Sequence, residues 1–227
     1  MYDDDVHFYM TLYIALAIGL NECEACAVAW SNMHTDYNTN TWPVGVGERG
    51  VELRRRFHFR TCGDKVVRGA PECLEVAQMG IKNCNGFLLG IGLHILQDSY
   101  SHEGYEPIKG HRFDSRPDDP SRDVKKALEM AEQTYKILAE YAKTCFNIDP
   151  RVKWEDIKTK IERQFVQGVE EQKLGYNEQM AARMKRWRQL LEDDFRCRLS
   201  REEACLSDHW YKFFLDAANQ VPLPKAK

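Results

Sequence analysis

The stretch from Phe87 to Glu103, FLLGIGLHILQDSYSHE, constrains the fold more than any other part of the chain. It is an apolar run that carries His94, Asp98 and His102 at four-residue intervals. A helix turns about 100° per residue, so a step of four drifts only about 40° and the three side chains share one face over two turns. Two imidazoles and a carboxylate among Leu88, Leu89, Ile91, Leu93, Ile95 and Leu96 are costly to bury unless something engages them. His and Asp are the usual nitrogen and oxygen ligands of zinc, and i, i+4 spacing lets neighbouring side chains converge on one ion. The alternative is a hydrogen-bonded His–Asp pair on a half-exposed helix face.

The placement of the other histidines bears on that choice. His7, His34, His58, His94, His102 and His111 all precede residue 112, and only His209 follows. This asymmetry fits a cluster better than scattered surface use. Each residue also has a structural reading. His34 suits a helix end, where the dipole favours a cation. His58, inside Arg56-Phe57-His58-Phe59-Arg60, alternates with phenylalanines that can be buried. His111 lies in a stretch with loop composition.

Length and composition set the frame. The chain has 227 residues, 43% hydrophobic and 11% aromatic, enough to bury a sizeable core. A net charge of -3 gives no electrostatic footprint for duplex nucleic acid and no general attraction to anionic membranes. Basic runs occur at Arg54, Arg55 and Arg56 and at Arg183, Lys185, Arg186 and Arg188. The second run reads as the solvated face of a charged helix. Eight cysteines are present, but a chain this long needs no disulfide framework, and the lone Cys23-x-x-Cys26 reads as two core thiols. The apolar run Phe8 to Leu20 follows Asp3, Asp4 and Asp5. It lacks a basic leader region and is too short to span a bilayer, so a cytoplasmic protein without a transmembrane segment is expected.

Along the chain, a first helix is expected from the acidic start to about Leu20, and a second from Asn21, its cap, to Asp36. Asn38 to Gly50 is a loop. Val51 to Phe59 alternates loosely and reads as a short strand or an extended strap. Pro71 suits the first position of a helix reaching Asn85, and the central helix follows. Gly104 to Pro120 is a second loop. Ser121 is the expected cap of a long helix to Cys145, and further helices fall within 152–169, 177–195 and 201–219. The expected fold is a single all-α domain over residues 1–227, a bundle of about seven helices with two long site-forming loops. A composition shift near residue 145 separates a site-bearing half (1–145) from a helical scaffold (146–227).

The order His7, Asp36, His58, His94-x-x-x-Asp98 and His102 on an all-α chain resembles the zinc-dependent phospholipase C and single-strand-specific nuclease superfamily. The segment LHILQDSYSHEGY with the later GH and PDDP is similar to an uncharacterised, toxin-associated bacterial branch of it. The resemblance covers residues 3–145. It implies a zinc site drawn from His7, Asp36, His58, His94, Asp98, His102 and His111, the last pairing with Asp114, Asp118 or Asp119. The superfamily's N-terminal tryptophan ligand has no counterpart at Met1-Tyr2, so one or two zinc ions are expected. The adjacent His-Asp dipeptide of HD-domain phosphohydrolases does not occur.

The function expected is a zinc-dependent hydrolase of phosphoesters that uses metal-activated water. Asp36 bridges ions or orients a ligand, and Asp36 or Glu103 is the candidate general base. Arg54, Arg55, Arg56 or Arg60 would meet a phosphate, unless they form a solvated charge run. Two alternatives stand beside it. One is a zinc lyase or isomerase whose ion acts as Lewis acid on a small-molecule carbonyl. The other is a metal-free helical binding protein with structural histidines.

Overall fold

The computed structural model describes residues 4–43, 47–109, 117–197 and 208–225. Among them the regular elements are nine α-helices and short π- and 3-10 turns, with no strand. Helix α1 begins as a π-helical segment, Asp5–Met10, and continues as Thr11–Ile18. Then come α2 (Glu22–Tyr37) and α3 (Gly47–Leu53), the latter running into a π-helical turn at Arg54–His58. The rest are α4 (Pro71–Lys82), α5 (Gly86–Ser101), α6 (Val124–Phe146), α7 (Trp154–Phe165), α8 (Tyr176–Phe195) and α9 (Asp208–Ala218). Short 3-10 turns lie at Pro120–Arg122 and Glu171–Lys173.

Helix α5 is the centre of the body. It is apolar on every side, as a helix enclosed by others must be, and Leu88 to Ser101 are all buried along it. Asn85 caps it, its side chain accepting from the Leu88 N–H at 3.0 Å. Helices α2 and α4 pack on α5, with α6 and α9 completing the enclosure. Glycines make the two closest approaches possible. A Cβ on Gly90 would strike Val28 and Asn32 of α2, and one on Gly92 would strike the backbone of Val76 and Ala77 of α4. Glycine inside a helix costs about 1 kcal/mol against alanine, and here it brings two helix backbones nearly into contact with the one bearing His94 and Asp98.

The segment 51–59 corrects the strand expectation. Its alternating hydrophobics sit on a helix and a π-turn, with Phe57 and His58 facing inward. Ser121 does not cap α6. The stronger carboxylate acceptors take both roles: Asp119 caps the 3-10 turn at Ser121 N, 3.1 Å, and Asp123 caps α6 at Lys126 N, 2.9 Å.

Cys84 and Cys145 form a disulfide between the ends of α4 and α6. No helix of the described residues is long and apolar enough to cross a membrane. In addition, Arg183 is not part of a solvated face. It is fully buried between α8 and the start of α1.

Candidate metal centre

Five side chains from four helical segments converge beside the middle of α5. His94 and Asp98 come from α5 itself, one turn apart. Asp36 comes from the last turn of α2. His7 and His58 come from the two π-helical turns. A π-turn widens the helix locally and re-aims the side chains it carries, which is why such turns recur at functional sites.

The ligand atoms lie at ion-sharing distances. Asp98 Oδ2 is 3.0 Å from His58 Nδ1 and 3.2 Å from His94 Nε2. Asp36 Oδ1 is 3.6 Å from His58 Nδ1 and 3.5 Å from His94 Nε2. The two nitrogens are themselves 3.0 Å apart. A tetrahedral ion with bonds of about 2.0–2.1 Å has ligand–ligand edges near 3.3 Å. Those five separations therefore match edges of one tetrahedron. The other carboxylate oxygens turn to His7: its Nε2 is 3.5 Å from Asp98 Oδ1 and 3.8 Å from Asp36 Oδ2. Both His7–His94–Asp98 and Asp36–His58–His94 form groups suited to a metal ion.

Surrounding hydrogen bonds set which nitrogens face the centre. Thr41 O can only accept, so the His58 nitrogen 2.8 Å away, Nε2, carries the proton and leaves the Nδ1 lone pair inward. Gln97 Oε1 accepts from His7 Nδ1 at 2.8 Å, which turns Nε2 toward the two carboxylates. Gln97 is fixed in turn by Asn32 Nδ2, Thr11 Oγ1 and Thr134 Oγ1. Outer partners that orient ligand imidazoles in this way are a regular feature of metal sites.

Burial and charge shape the site strongly. His58, His94 and Asp98 are fully buried, and Asp36 at 11% exposure is the most accessible member. Burial lowers His94 to about 3, against the opposing pull of Asp98, and lowers His58 also. Burial would lower His7 as well, but the neighbouring Asp98 and Asp36 carboxylates hold it up at about 9. Burial disfavours the Asp98 carboxylate, yet the imidazoles around it, His94 first, keep it well below the usual range. Asp98 Oδ1 is buried and accepts no hydrogen bond. A desolvated carboxylate oxygen of this kind is costly and fits a cation-binding role.

Of the other predicted site residues, His102 stays beside the centre: just past the end of α5, it holds Nδ1 3.8 Å from Asp98 Oδ2. Its Nδ1 donates to His58 O at 3.2 Å, its Nε2 faces Asp118 at 3.5 Å, and its ring stacks on Phe59. Glu103 has left the helix face altogether and pairs with Arg68 at the surface, 3.4 Å away. Both oxygens of Asp36 face imidazole nitrogens, an arrangement of a ligand rather than a base. His111 and Asp114 lie outside the described residues. His34 stacks on Trp30 at 4.3 Å, away from the centre.

The arginines proposed for phosphate are largely engaged elsewhere. Arg54 donates to Pro107 O and Pro43 O, and Arg56 to Val221 O and Asn219 O. Arg60, fully buried, donates to Glu72 O and Pro222 O and pairs with Glu75. Gln97, Thr41 and Asn32 are the supporting residues that sequence reasoning missed. For Gln97 a signal exists: an amide next to Asp98, on a helix otherwise too apolar to leave one unmet.

No family model, no curated protein and no solved structure matches the chain.

Proposed function

We propose that the protein is a two-metal hydrolase of phosphoesters, with zinc as the expected ion. One observation carries this reading. Asp36 and Asp98 each direct one oxygen to the His58–His94 pair and the other to His7. Shared carboxylates are how a protein holds two cations side by side without leaving either set of charges unmet. The first set, His58, His94, Asp36 and Asp98, would be filled by protein atoms. The second, His7 with the same two carboxylates, has three protein ligands, the number a catalytic site uses. The order of these residues along the chain, similar to the zinc-dependent phospholipase C and nuclease superfamily, supports phosphoesters as the substrate class.

When bound, the ions would supply a Lewis acid and bring the pKa of a coordinated water toward about 7. The protein's own residues do the remainder. Thr41 and Gln97 fix the imidazoles in the tautomers that present lone pairs. The apolar wall of α5 excludes bulk water and strengthens every charge interaction inside. Two divalent ions against two carboxylates leave a net positive centre, complementary to a phosphodiester. With Asp36 placed as a ligand and Glu103 at the surface, neither of these two carboxylates is placed as a separate base.

A second reading rests on the burial of the first set. Four protein ligands and complete enclosure also describe a structural ion. Metal content and activity separate the two. The hydrolase reading expects about two equivalents of zinc, loss of both in Asp98→Ala, loss of one in His7→Ala, and cleavage of an aryl phosphate diester by the wild type. One equivalent, no cleavage and a lowered Tm on chelation would support the structural ion. Zinc without cleavage and without dependence of Tm on chelator would favour a non-hydrolytic zinc enzyme. Metal-free protein whose Tm ignores added zinc overturns the metal reading itself.

A further inference from the structure

We propose that Arg183, from the chain's second half, is a positioning residue for the metal centre: it locks the π-helical start of α1 in the register that turns His7 toward Asp36 and Asp98. The inference rests on the metal reading for its consequence, but its geometry is independent of it.

The π-helical segment Asp5–Met10 is held from two sides. On one, Asp5 and Tyr9, four residues apart, face α8. Asp5 Oδ2 accepts from Arg183 Nε at 2.6 Å, and the Tyr9 hydroxyl accepts from Arg188 Nε at 2.8 Å, with the Arg188 guanidinium 5.3 Å from the Tyr9 ring centroid. On the other side, His7 and Thr11, again four apart, face α2 and α5. His7 meets Gln97, and Thr11 Oγ1 accepts from Asn32 Nδ2 and Gln97 Nε2. Residues two apart in a helix point in different directions, so holding Asp5 sets where His7 points.

The register matters because a π-turn contains one residue more than the α-turn it replaces. If the segment relaxed to α geometry, everything before the turn would rotate by about 100°, one residue's share of an α-turn. Asp5 would then swing away from Arg183 and His7 from the carboxylates. Arg183 opposes this, since both groups are fully buried and a lone charge there is expensive. Its fork also reaches Asp119 at 3.2 Å. Asp119 is next to Asp118, which faces His102, so one guanidinium ties α1 to the segment beside the end of α5. Arginine suits this role because its donors diverge in a fixed plane.

The test replaces the pair rather than breaking it. In Asp5→Leu/Arg183→Met no unpaired charge is created at Asp5, and Asp119 keeps its bonds from Ser121 N and Oγ. Such a swap commonly leaves stability near wild type. Two quantities are then read. One is zinc affinity, expected to weaken about 10–100-fold at the His7-dependent site. The other is the proton NMR signal of the His7 Nδ1–H bound to Gln97, assigned by its absence in His7→Ala and measured in metal-free protein. It should disappear in the double variant, while the His58 Nε2–H signal, bonded to Thr41, stays in place. Arg183→Lys, which keeps the charge but not the fork, should shift the same His7 signal and serves if the double variant fails to fold. A His7 signal unmoved in whichever of these variants folds overturns the proposal. If the wild type takes up no zinc, the metal reading falls, and the NMR arm still decides whether Arg183 sets the register of His7.

Discussion

Gln97 holds His7 by the ring edge turned away from the carboxylates, its Oε1 2.8 Å from Nδ1. The same amide donates to Thr11 Oγ1 at 3.1 Å and Thr134 Oγ1 at 3.3 Å, and its oxygen also accepts from Asn32 at 3.0 Å. Every polar atom of the side chain is engaged, and the side chain is fully buried. Replacing Gln97 by Leu strands the His7 and Asn32 donors together. The expected loss is about 1–3 kcal/mol of folding stability, the desolvation cost of buried groups left unmet. Zinc affinity should fall about 10–100-fold, as for other outer partners of metal ligands. Denaturant unfolding and zinc titration of Gln97→Leu check both, and an unchanged affinity would detach Gln97 from the centre.

Gly92→Ala tests the packing that brings α4 against α5. An added methyl would meet the backbone of Val76 and Ala77, which cannot swing aside as a side chain can. Intrinsic helix propensity favours alanine by about 1 kcal/mol, and overpacking typically costs about 1–3 kcal/mol or more. A lowered Tm is expected despite the better helix former. A raised Tm would mean that the two helices stand further apart than described.

The Cys84–Cys145 bridge closes a loop with a sequence separation of 61. In the chain-entropy model a loop of that size is worth about 4 kcal/mol through the unfolded state. Cys84→Ser/Cys145→Ser, or wild type under strong reductant, should unfold at clearly lower denaturant than the oxidised protein. Identical midpoints with and without reductant would show that the bridge does not form in solution.

Cys73 supplies a pH dependence of definite sign. Burial, reinforced by the Glu72 charge, pushes its thiol from 9.0 up to about 12. The unfolded thiol ionises first, so the folded state is favoured in full below pH 9 and loses that advantage as pH rises toward 12. At pH 10 the loss is about 1 kcal/mol relative to pH 7. Wild type should lose that much more stability over this interval than Cys73→Ala. Equal losses in the two proteins would show a thiol with ordinary acidity.

The helical class and the His94–Asp98 pair were legible because both depend on periodicity within one segment. An apolar helix with two polar residues one turn apart announces itself. Asp36 was legible as the end of α2 for the same reason. His58 was identified as a candidate, but its setting was misread. The alternation of Val51, Leu53, Phe57 and Phe59 has the period of a strand, whereas the segment packs as a helix whose final turn is widened. A π-turn has no residue signature and is fixed by contacts from elsewhere. His102 was expected on the same face as Asp98, and although α5 ends at Ser101, its Nδ1 stays 3.8 Å from Asp98 Oδ2 while bonding to the backbone of His58. Arg183 was illegible for a different reason. Nothing near it in sequence distinguishes a guanidinium that will be enclosed by Asp5 and Asp119 from the solvated ones around it.

Two of the five converging side chains ride on turns that contain one residue more than an α-turn. Such a turn can arise from a single inserted codon within a helix and vanish by a single deletion. The scaffold of α2, α4, α5 and α6 would survive either event, because it packs chiefly through its own helix pairs, α4 on α5 and α2 on α5. Gain or loss of this centre is therefore separable from gain or loss of the fold. Two chains of this architecture that differ by one residue before Thr11, or before Phe59, would share a body yet differ in whether they can assemble the site.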